Sequence, residues 1–296
     1  MKPPIFDYLR PRSLDEAVTL LHERRGEARV LAGGQSLIPA LRLRLTDLPA
    51  VIDIGRLDGL RDTAIDARGW LRVGALTSQR SAERSPIVAT ATPLLAEALP
   101  LIAHVEIRNQ GTIGGSLAHA DPAAELPAVA VALDADMVSR SVRGEQVRSA
   151  EDFFVWYYST ALEEDEILTE IRFPPRNVRE GSAVLEVARR PGDFALAGMA
   201  IRLRRTDGRC DMARVVVFAV SPSPTRLAEV ESALVGSTLS DADLREAARA
   251  AAAAVEPPED SQASASYRRH ATGVLCRRAL ESARSRLDDA TAVAQA

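Results

Sequence analysis

Lysine is almost missing from this chain. Lys2 is the single lysine among 37 basic residues, and the rest are arginine. With alanine abundant, this bias marks a GC-rich genome and is no evidence for phosphate recognition. Cysteine is scarce too: Cys210 and Cys276 lie far apart in sequence. Two free thiols point to a reducing, cytoplasmic compartment. They also exclude a four-cysteine iron–sulfur cluster held by this chain alone. No apolar run reaches the roughly 18 residues that a membrane span needs. The start, "MKPPIFDYLRPRS", has no apolar h-region and does not read as a signal peptide. The net charge of −4 gives no footprint for nucleic acid.

What is present is ordinary for a globular protein: 46% hydrophobic and 26% charged residues over a length of 296. That length allows two or three domains, each with its own core. "SLDEAVTLLHER" opens with Ser13 as an N-cap and Glu16 three residues on, a capping box before an amphipathic helix. "ARVLAGG" reads as a strand stopped by glycines, "LIPALRLRL" as a short helix and "AVIDIGRL" as another strand. Residues 1–56 therefore form a first α/β unit. Residues 57–176 form a second. It holds "WLRVGALTSQRSAE" (strand into helix), the helical "PLLAEALPLIA", a helix-or-strand run "PAVAVALDADMV", a hairpin around Gly144, and the strand "DEILTEIRFPP" ended by Pro174 and Pro175. Residues 177–287 read as an antiparallel meander with an Asp207-Gly208 turn, then three helices, the second capped at Ser240 and Asp241. The tail, 288–296, reads as frayed. His22 and His104 read as surface residues in helical patterns. The expected class is α+β.

Two short stretches resemble one another. "LAGGQSLIP" (31–39) and "GTIGGSLAHADPAAE" (111–125) each place paired glycines beside a small hydroxyl residue at the edge of an apolar run. Glycine lets a ligand approach the main chain closely. Consecutive N–H groups form a concavity for anions, and a following helix adds its dipole. Either loop alone is as well explained as a tight turn; the pair points to a ligand with two phosphates. Other motifs fit less well. The glycines lack the G-x-G-x-x-G spacing, although Asp53 lies at a suitable distance. No G-x-x-x-x-G-K-[ST] exists. "GGSLA" has Ala118 where a nucleophile elbow needs glycine. His119, Asp121 and Glu125 match no defensible metal-ligand spacing and read as bonding polar ligand groups or the loop backbone.

These residues carry a family pattern. "FDYLRPRSLDEAVTLL", "VLAGGQSLIPALRLRL", "VIDIGRL", "IRNQGTIGGSLAHADPAAELPAVAVALDA", "EILTEIRFP", "RRPGDFALAGMAI" and "YRRHATGVLCRRAL" resemble the FAD-binding medium subunit of the molybdenum hydroxylases. That family includes carbon monoxide, xanthine, nicotine, caffeine and aldehyde dehydrogenases. The resemblance runs from Phe6 to about Leu287 and is strongest to the carbon monoxide dehydrogenase type, with molybdenum, iron–sulfur and flavin on three chains. It implies a vanillyl-alcohol-oxidase-type (PCMH-type) FAD-binding fold followed by an antiparallel sheet and three helices, with FAD between the first two domains.

The resemblance also implies roles. Ala32, Gly33, Gly34, Gln35 and Ser36, with Thr112, Ile113, Gly114, Gly115 and Ser116, would hold the pyrophosphate, flanked by Leu31 and Leu37. His119, Asp121 and Glu125 would line the ribityl and ring region, Leu168 the adenine end, and Ile102 would belong to the same site. Phe194 would lie by the isoalloxazine, where relatives often have tyrosine. Leu196 replaces a lysine of xanthine-dehydrogenase relatives and weighs against an NAD-reducing role. FAD would be noncovalent, molybdopterin and [2Fe–2S] clusters would sit on a large and a small partner subunit, and an external acceptor would take the electrons. A dimer of heterotrimers is expected, with no catalytic acid or base on this chain. The alternatives are a stand-alone flavin oxidase or reductase, and a scaffold subunit without cofactor.

Overall fold

Strands Asp7–Leu9, Ala28–Leu31 and Ala50–Asp53 pair in parallel with Ala50–Asp53 in the centre. The structure is a computed structural model that describes residues 2–295, with side chains described to residue 289. Helix Leu14–Glu23 lays Ala17, Val18 and Leu21 on this sheet, against Ile52 and Ile54. Ser13 caps it by accepting from the Glu16 N–H at 3.1 Å. The expected capping box is displaced by one residue, because the Glu16 carboxylate accepts from the Arg12 N–H (2.6 Å).

The second sheet has five strands in the spatial order Thr63–Ile65, Leu71–Gly74, Ile167–Phe173, Asp136–Ser141, Gly144–Ser149, all antiparallel. Its central strand, Ile167–Phe173, arrives from far along the sequence and stops at Pro174, which has no N–H to continue a ladder. Leu94, Leu95, Leu99, Ile113 and Leu117 pack with Leu71, Val73 and Ile171 in one core. Each such fully buried side chain contributes about 1.5–3 kcal/mol relative to exposure.

The apolar run after the second glycine loop is a helix, Glu125–Ala132, and every residue in it is buried. It packs against strands Ala195–Thr206 and Arg209–Phe218 on one side and against helices Pro93–Ala98, Ile113–His119 and Ala150–Phe153 on the others. A helix covered all round carries no 3.6-residue stripe, which is why sequence alone left helix and strand open.

The third sheet joins Glu180–Ala188, Ala195–Thr206, Arg209–Phe218 and Thr225–Arg226 in that order. Asp207 and Gly208 turn the meander with φ of 51° and 77°, the backbone a two-residue hairpin requires. Helices Ala228–Leu234, Asp241–Ala253 and Ala265–Gln295 follow. The second is capped by Ser240 with Asp243 in a reciprocal box, while Asp241 pairs with Arg284 (2.9 Å). The last helix has helical backbone to Gln295, through most of the tail read as frayed, and Ala296 lies outside the described residues; Leu287 is fully buried and Asp288 pairs with Arg205. Among the described residues no helix is long and apolar enough to cross a membrane.

Candidate functional site

The first glycine loop is the exit of strand Ala28–Leu31. Leu31 pairs with Asp53, and its carbonyl accepts from the Ile54 N–H (3.0 Å). Gly34 has φ +71°, a conformation that costs a side chain and not glycine. Gln35 folds back so that its amide donates to the Gly33 carbonyl (3.0 Å). Helix Leu37–Arg42 follows at once. Among the described residues, the N–H groups of Gly33, Gly34, Gln35 and Ser36 meet no protein acceptor. Four consecutive open donors at a left-handed turn make a nest for an anion.

The second loop is built differently. Ile113 N–H donates to Thr77 O (2.9 Å), Gly114 to Ala75 O (2.9 Å), Gly115 to Thr112 Oγ1 (3.0 Å) and Ser116 to Thr112 O (3.1 Å). Two of these amides hold helix Ile113–His119 to the residues just after strand Leu71–Gly74, and the other two close the helix's own first turn on Thr112. Gly114 is glycine because a Cβ there would lie 2.8 Å from Ala75 Cα. Of its hydroxyls, that of Ser116 is half-buried, while Thr112 is 5% exposed and its Oγ1 accepts from the Gly115 N–H.

The two loops abut. A Cβ on Gly33 would overlap the Gln110 carbonyl and lie 3.0 Å from Gly111 Cα, and one on Gly115 would lie 3.7 Å from Ala32 Cβ. Stretches about eighty residues apart thus form one surface, with open amides on one side and hydroxyls on the other.

Beyond the second loop, Ala120 turns left-handed (φ 50°), and its carbonyl accepts from the Tyr158 N–H (3.1 Å). The Tyr158 and His119 rings lie 5.2 Å apart. Desolvation lowers the His119 pKa, against the pull of the Asp121 carboxylate. Desolvation, with Asp121 alongside, raises that of Tyr158. Asp121 accepts from the Ala123 N–H (2.9 Å) and so shapes the turn into Glu125. Glu125 is buried; desolvation, helped by the nearby Glu186 charge, pushes its pKa up to about 8.

The remaining expected residues sit apart from this surface in different ways. Ile102 and Leu168 are buried in the same core as Ile113 and Leu117. Arg108 anchors the Ile102 segment by donating to Ile102 O (2.7 Å) and to Glu83 (2.9 Å). Phe194 is 68% exposed in the loop between two strands of the third sheet. That loop rests on the segment after Ile102, since a Cβ on Gly192 would lie 2.6 Å from His104 Cε1. Leu196 is buried, and its carbonyl accepts from Arg268 (2.6 Å).

Several contributors carried no sequence signal. Gln79 is buried beside Gly111 with its Oε1 unpartnered, and Tyr158 and Glu186 come from elements remote in the chain. The exposed run Val155, Trp156 and Tyr157 was visible as a string of large apolar residues. His22 is exposed, as expected, and also bonds the fully covered Asp165 at 2.9 Å, together with Arg143. His104 is exposed, as expected. Among the described residues no group of His, Cys, Asp and Glu is arranged to hold a metal. Two surface cavities of about 220 and 540 Å³ are lined by residues such as Arg176 and Glu180 and do not touch the glycine loops.

The chain is similar to known proteins along almost its whole length. The family described as "FAD binding domain in molybdopterin dehydrogenase" matches residues 4–176, and "CO dehydrogenase flavoprotein C-terminal domain" matches residues 182–283. The carbon monoxide dehydrogenase medium chain of Hydrogenophaga pseudoflava is 37% identical, over 97% of this chain and 99% of its own. The nicotine 6-hydroxylase medium subunit of Paenarthrobacter nicotinovorans is 38% identical, over 97% of this chain and 100% of its own. A solved carbon monoxide dehydrogenase from H. pseudoflava that lacks the Mo-pyranopterin moiety superimposes with a TM-score of 0.94 at 38% identity, covering 97% of this chain and 99% of that one. The fold is that of the PCMH-type flavoproteins, and the chain belongs to the family of FAD-binding medium subunits of the molybdenum hydroxylases.

Proposed function

We propose that this chain is the electron-transfer flavoprotein of a cytoplasmic, three-subunit molybdenum hydroxylase and holds noncovalent FAD where the two glycine loops abut. The observation that carries this reading is the run of four open amides at Gly33–Ser36, held against the hydroxyls of Thr112 and Ser116. A diphosphate satisfies both: its oxygens accept from amides on one side and from hydroxyls on the other. Leu31, Ala32, Leu37, Ile113, Gly114 and Gly115 shape that seat. His119, Asp121 and Glu125 face the ribityl and ring portion, Leu168 lies at the adenine end, Ile102 backs the site from the core, and Phe194 lies by the isoalloxazine. The division into 1–56, 57–176 and 177–287 fits this reading, because each loop belongs to a different one of the first two units.

When bound, FAD supplies the redox chemistry, receiving electrons from [2Fe–2S] clusters of a small partner and delivering them to an external acceptor. The chain's own task is to bind, orient and shield it, and no side chain here acts as catalytic acid or base. The relatives are named as medium chains or as subunits of complexes, which supports a large molybdopterin subunit and a small iron–sulfur subunit as partners, assembled as a dimer of heterotrimers. The exposed Val155, Trp156 and Tyr157 hairpin, tied to Ala120 through Tyr158, supplies part of the docking surface. An obligate interface of this kind exceeds roughly 2,000 Å². Substrate choice among carbon monoxide, N-heterocycles, alkaloids and aldehydes lies on the large subunit.

The test is to express the chain alone and with its partners. Alone, it should carry a flavin spectrum, release yellow supernatant on acid precipitation, and show no reduction by substrate. With the partners it should copurify with iron and molybdenum and be reduced. Reduction of the isolated chain by a small-molecule substrate would establish a stand-alone enzyme instead, and a colourless chain that takes up no FAD would establish a scaffold.

A further inference from the structure

Ala120, Tyr158 and Ala219 hold left-handed backbone at one place in the structure, although none is glycine. Ala120 (φ 50°) follows helix Ile113–His119, at a turn where glycine is usual. Its carbonyl accepts from the N–H of Tyr158 (φ 52°) at 3.1 Å. Two residues on, Pro122 O accepts from the N–H of Ala219 (φ 64°) at 2.8 Å. Such backbone is uncommon for alanine and a genuine outlier for a bulky side chain, whose Cβ crowds the neighbouring carbonyl oxygen. It persists only where the surroundings impose it, and it gathers where a chain clamps a ligand.

Tyr158 is the bulkiest of these residues. It is 59% exposed, so burial within the chain does not offset its strain. Its hairpin pairs Phe154–Trp156 with Ser159–Thr160 and shifts register between Phe154 and Trp156. Trp156 and Tyr157 pack edge-on against one another, with ring centroids 5.6 Å apart. Tyr158 turns instead to the segment after the second glycine loop. Its ring lies 5.2 Å from that of His119, tilted by 45°, and the Asp121 carboxylate is beside its hydroxyl. His119 is exposed as well. An exposed pair of rings is thus fixed at one end of a seven-residue helix whose other end is the glycine loop. The helix carries the chain roughly 10 Å between the two.

We propose that Tyr158 is a further positioning residue of the cofactor site: its left-handed backbone sets its ring against His119, and the two rings form a wall that orients the flavin ring. This rests on the cofactor reading above, in which His119 and Asp121 face the ribityl and ring portion. Relaxing the Tyr158 backbone would swing the ring off His119 and release the Ala120 carbonyl, so the strain is the cost of holding the wall. Rings already fixed in place lose little side-chain freedom when a planar ligand packs on them, and that favours binding in one orientation.

The test compares the flavin-stripped full chain as wild type, Tyr158→Asn and Tyr158→Phe. Asparagine tolerates left-handed backbone and removes the ring, whereas phenylalanine keeps the ring. Each protein is measured for its FAD dissociation constant, the visible circular dichroism of the bound flavin, and its thermal midpoint without FAD. Tyr158→Asn should bind FAD about five- to tenfold more weakly, the worth of an aromatic contact. It should also change the flavin dichroism, which reports the asymmetry around the ring. Its midpoint without FAD should be level or higher, because the strain leaves together with an exposed ring. Tyr158→Phe should restore both the affinity and the dichroism. If Tyr158→Asn binds FAD like the wild type with the same dichroism, the proposal fails while the cofactor reading stands. If affinity and midpoint fall together, or Tyr158→Phe behaves like Tyr158→Asn, the ring does not position the flavin and the proposal fails again. If the wild type itself takes up no FAD, the cofactor reading falls and the proposal with it.

Discussion

The contact between the two glycine loops makes Gly33→Ala a demanding substitution. The added methyl would overlap the Gln110 carbonyl and lie 3.0 Å from both Gln110 C and Gly111 Cα. Every atom it meets is backbone, so no rotamer change gives relief. The Gln110–Gly111 segment is itself fixed, by Gly111 N–H to Ile107 O (2.7 Å) and Gln79 N–H to Gly111 O (2.8 Å). The loops must therefore part by several tenths of an ångström. Overpacking of this kind costs typically 1–3 kcal/mol. In the cofactor-free chain the first loop relieves much of that strain by lifting away, since its four amides are not bonded to protein. Binding a diphosphate across both loops forces them together again, so most of the cost falls on binding. About 2 kcal/mol corresponds to a roughly 30-fold weaker dissociation constant. Flavin fluorescence quenching on titration into the stripped chain measures this, and circular dichroism should show the fold retained. Gly144→Ala is the control. Its φ of +116° strains a hairpin, but its Cβ would meet nothing within 4 Å, so FAD affinity should not change. If Gly33→Ala binds FAD as tightly as the wild type, the loops do not grip one ligand between them and the reasoning fails.

Two further outcomes follow from buried ionisable groups. Arg143 holds the covered Asp165 carboxylate well below the usual range, assisted by His22. A depressed carboxylate stabilises above its unfolded pKa of about 3.9 and loses that effect as pH falls. Arg143→Ala should therefore lower the urea midpoint at pH 7, modestly because the arginine is exposed to solvent, and the gap from wild type should shrink below about pH 4; a gap independent of pH would contradict the pairing. Burial pushes the thiols of Cys210 and Cys276 up to about 11 and about 12. Neither should react with a disulfide reagent at pH 8 until the chain is unfolded, when both should react; rapid labelling of the native chain would show that a thiol is accessible.

Local chemistry was legible in the sequence, because its causes are local. Ser13 and Ser240 announce helix starts through their own hydroxyls, Pro174 ends a strand by lacking a donor, Asp207-Gly208 supplies the left-handed turn, and paired glycines mark where main chain must come close to something. The family pattern, carried by whole motifs from Phe6 to Leu287, gave cofactor and fold class together. Tertiary structure decided the rest. Glu125–Ala132 is a helix covered all round by two long strands and neighbouring helices, a circumstance no periodicity records. The two glycine loops look alike in sequence, but one keeps its amides open while the other spends them on Ala75, Thr77 and Thr112. That difference arises from which strand end each loop meets. Tyr158 joins His119 and Ala120 only because a segment distant in the chain folds against them. A residue's spacing in sequence fixes what it can offer its neighbours, whereas its burial, its charge state and its partners depend on which remote segment folds against it.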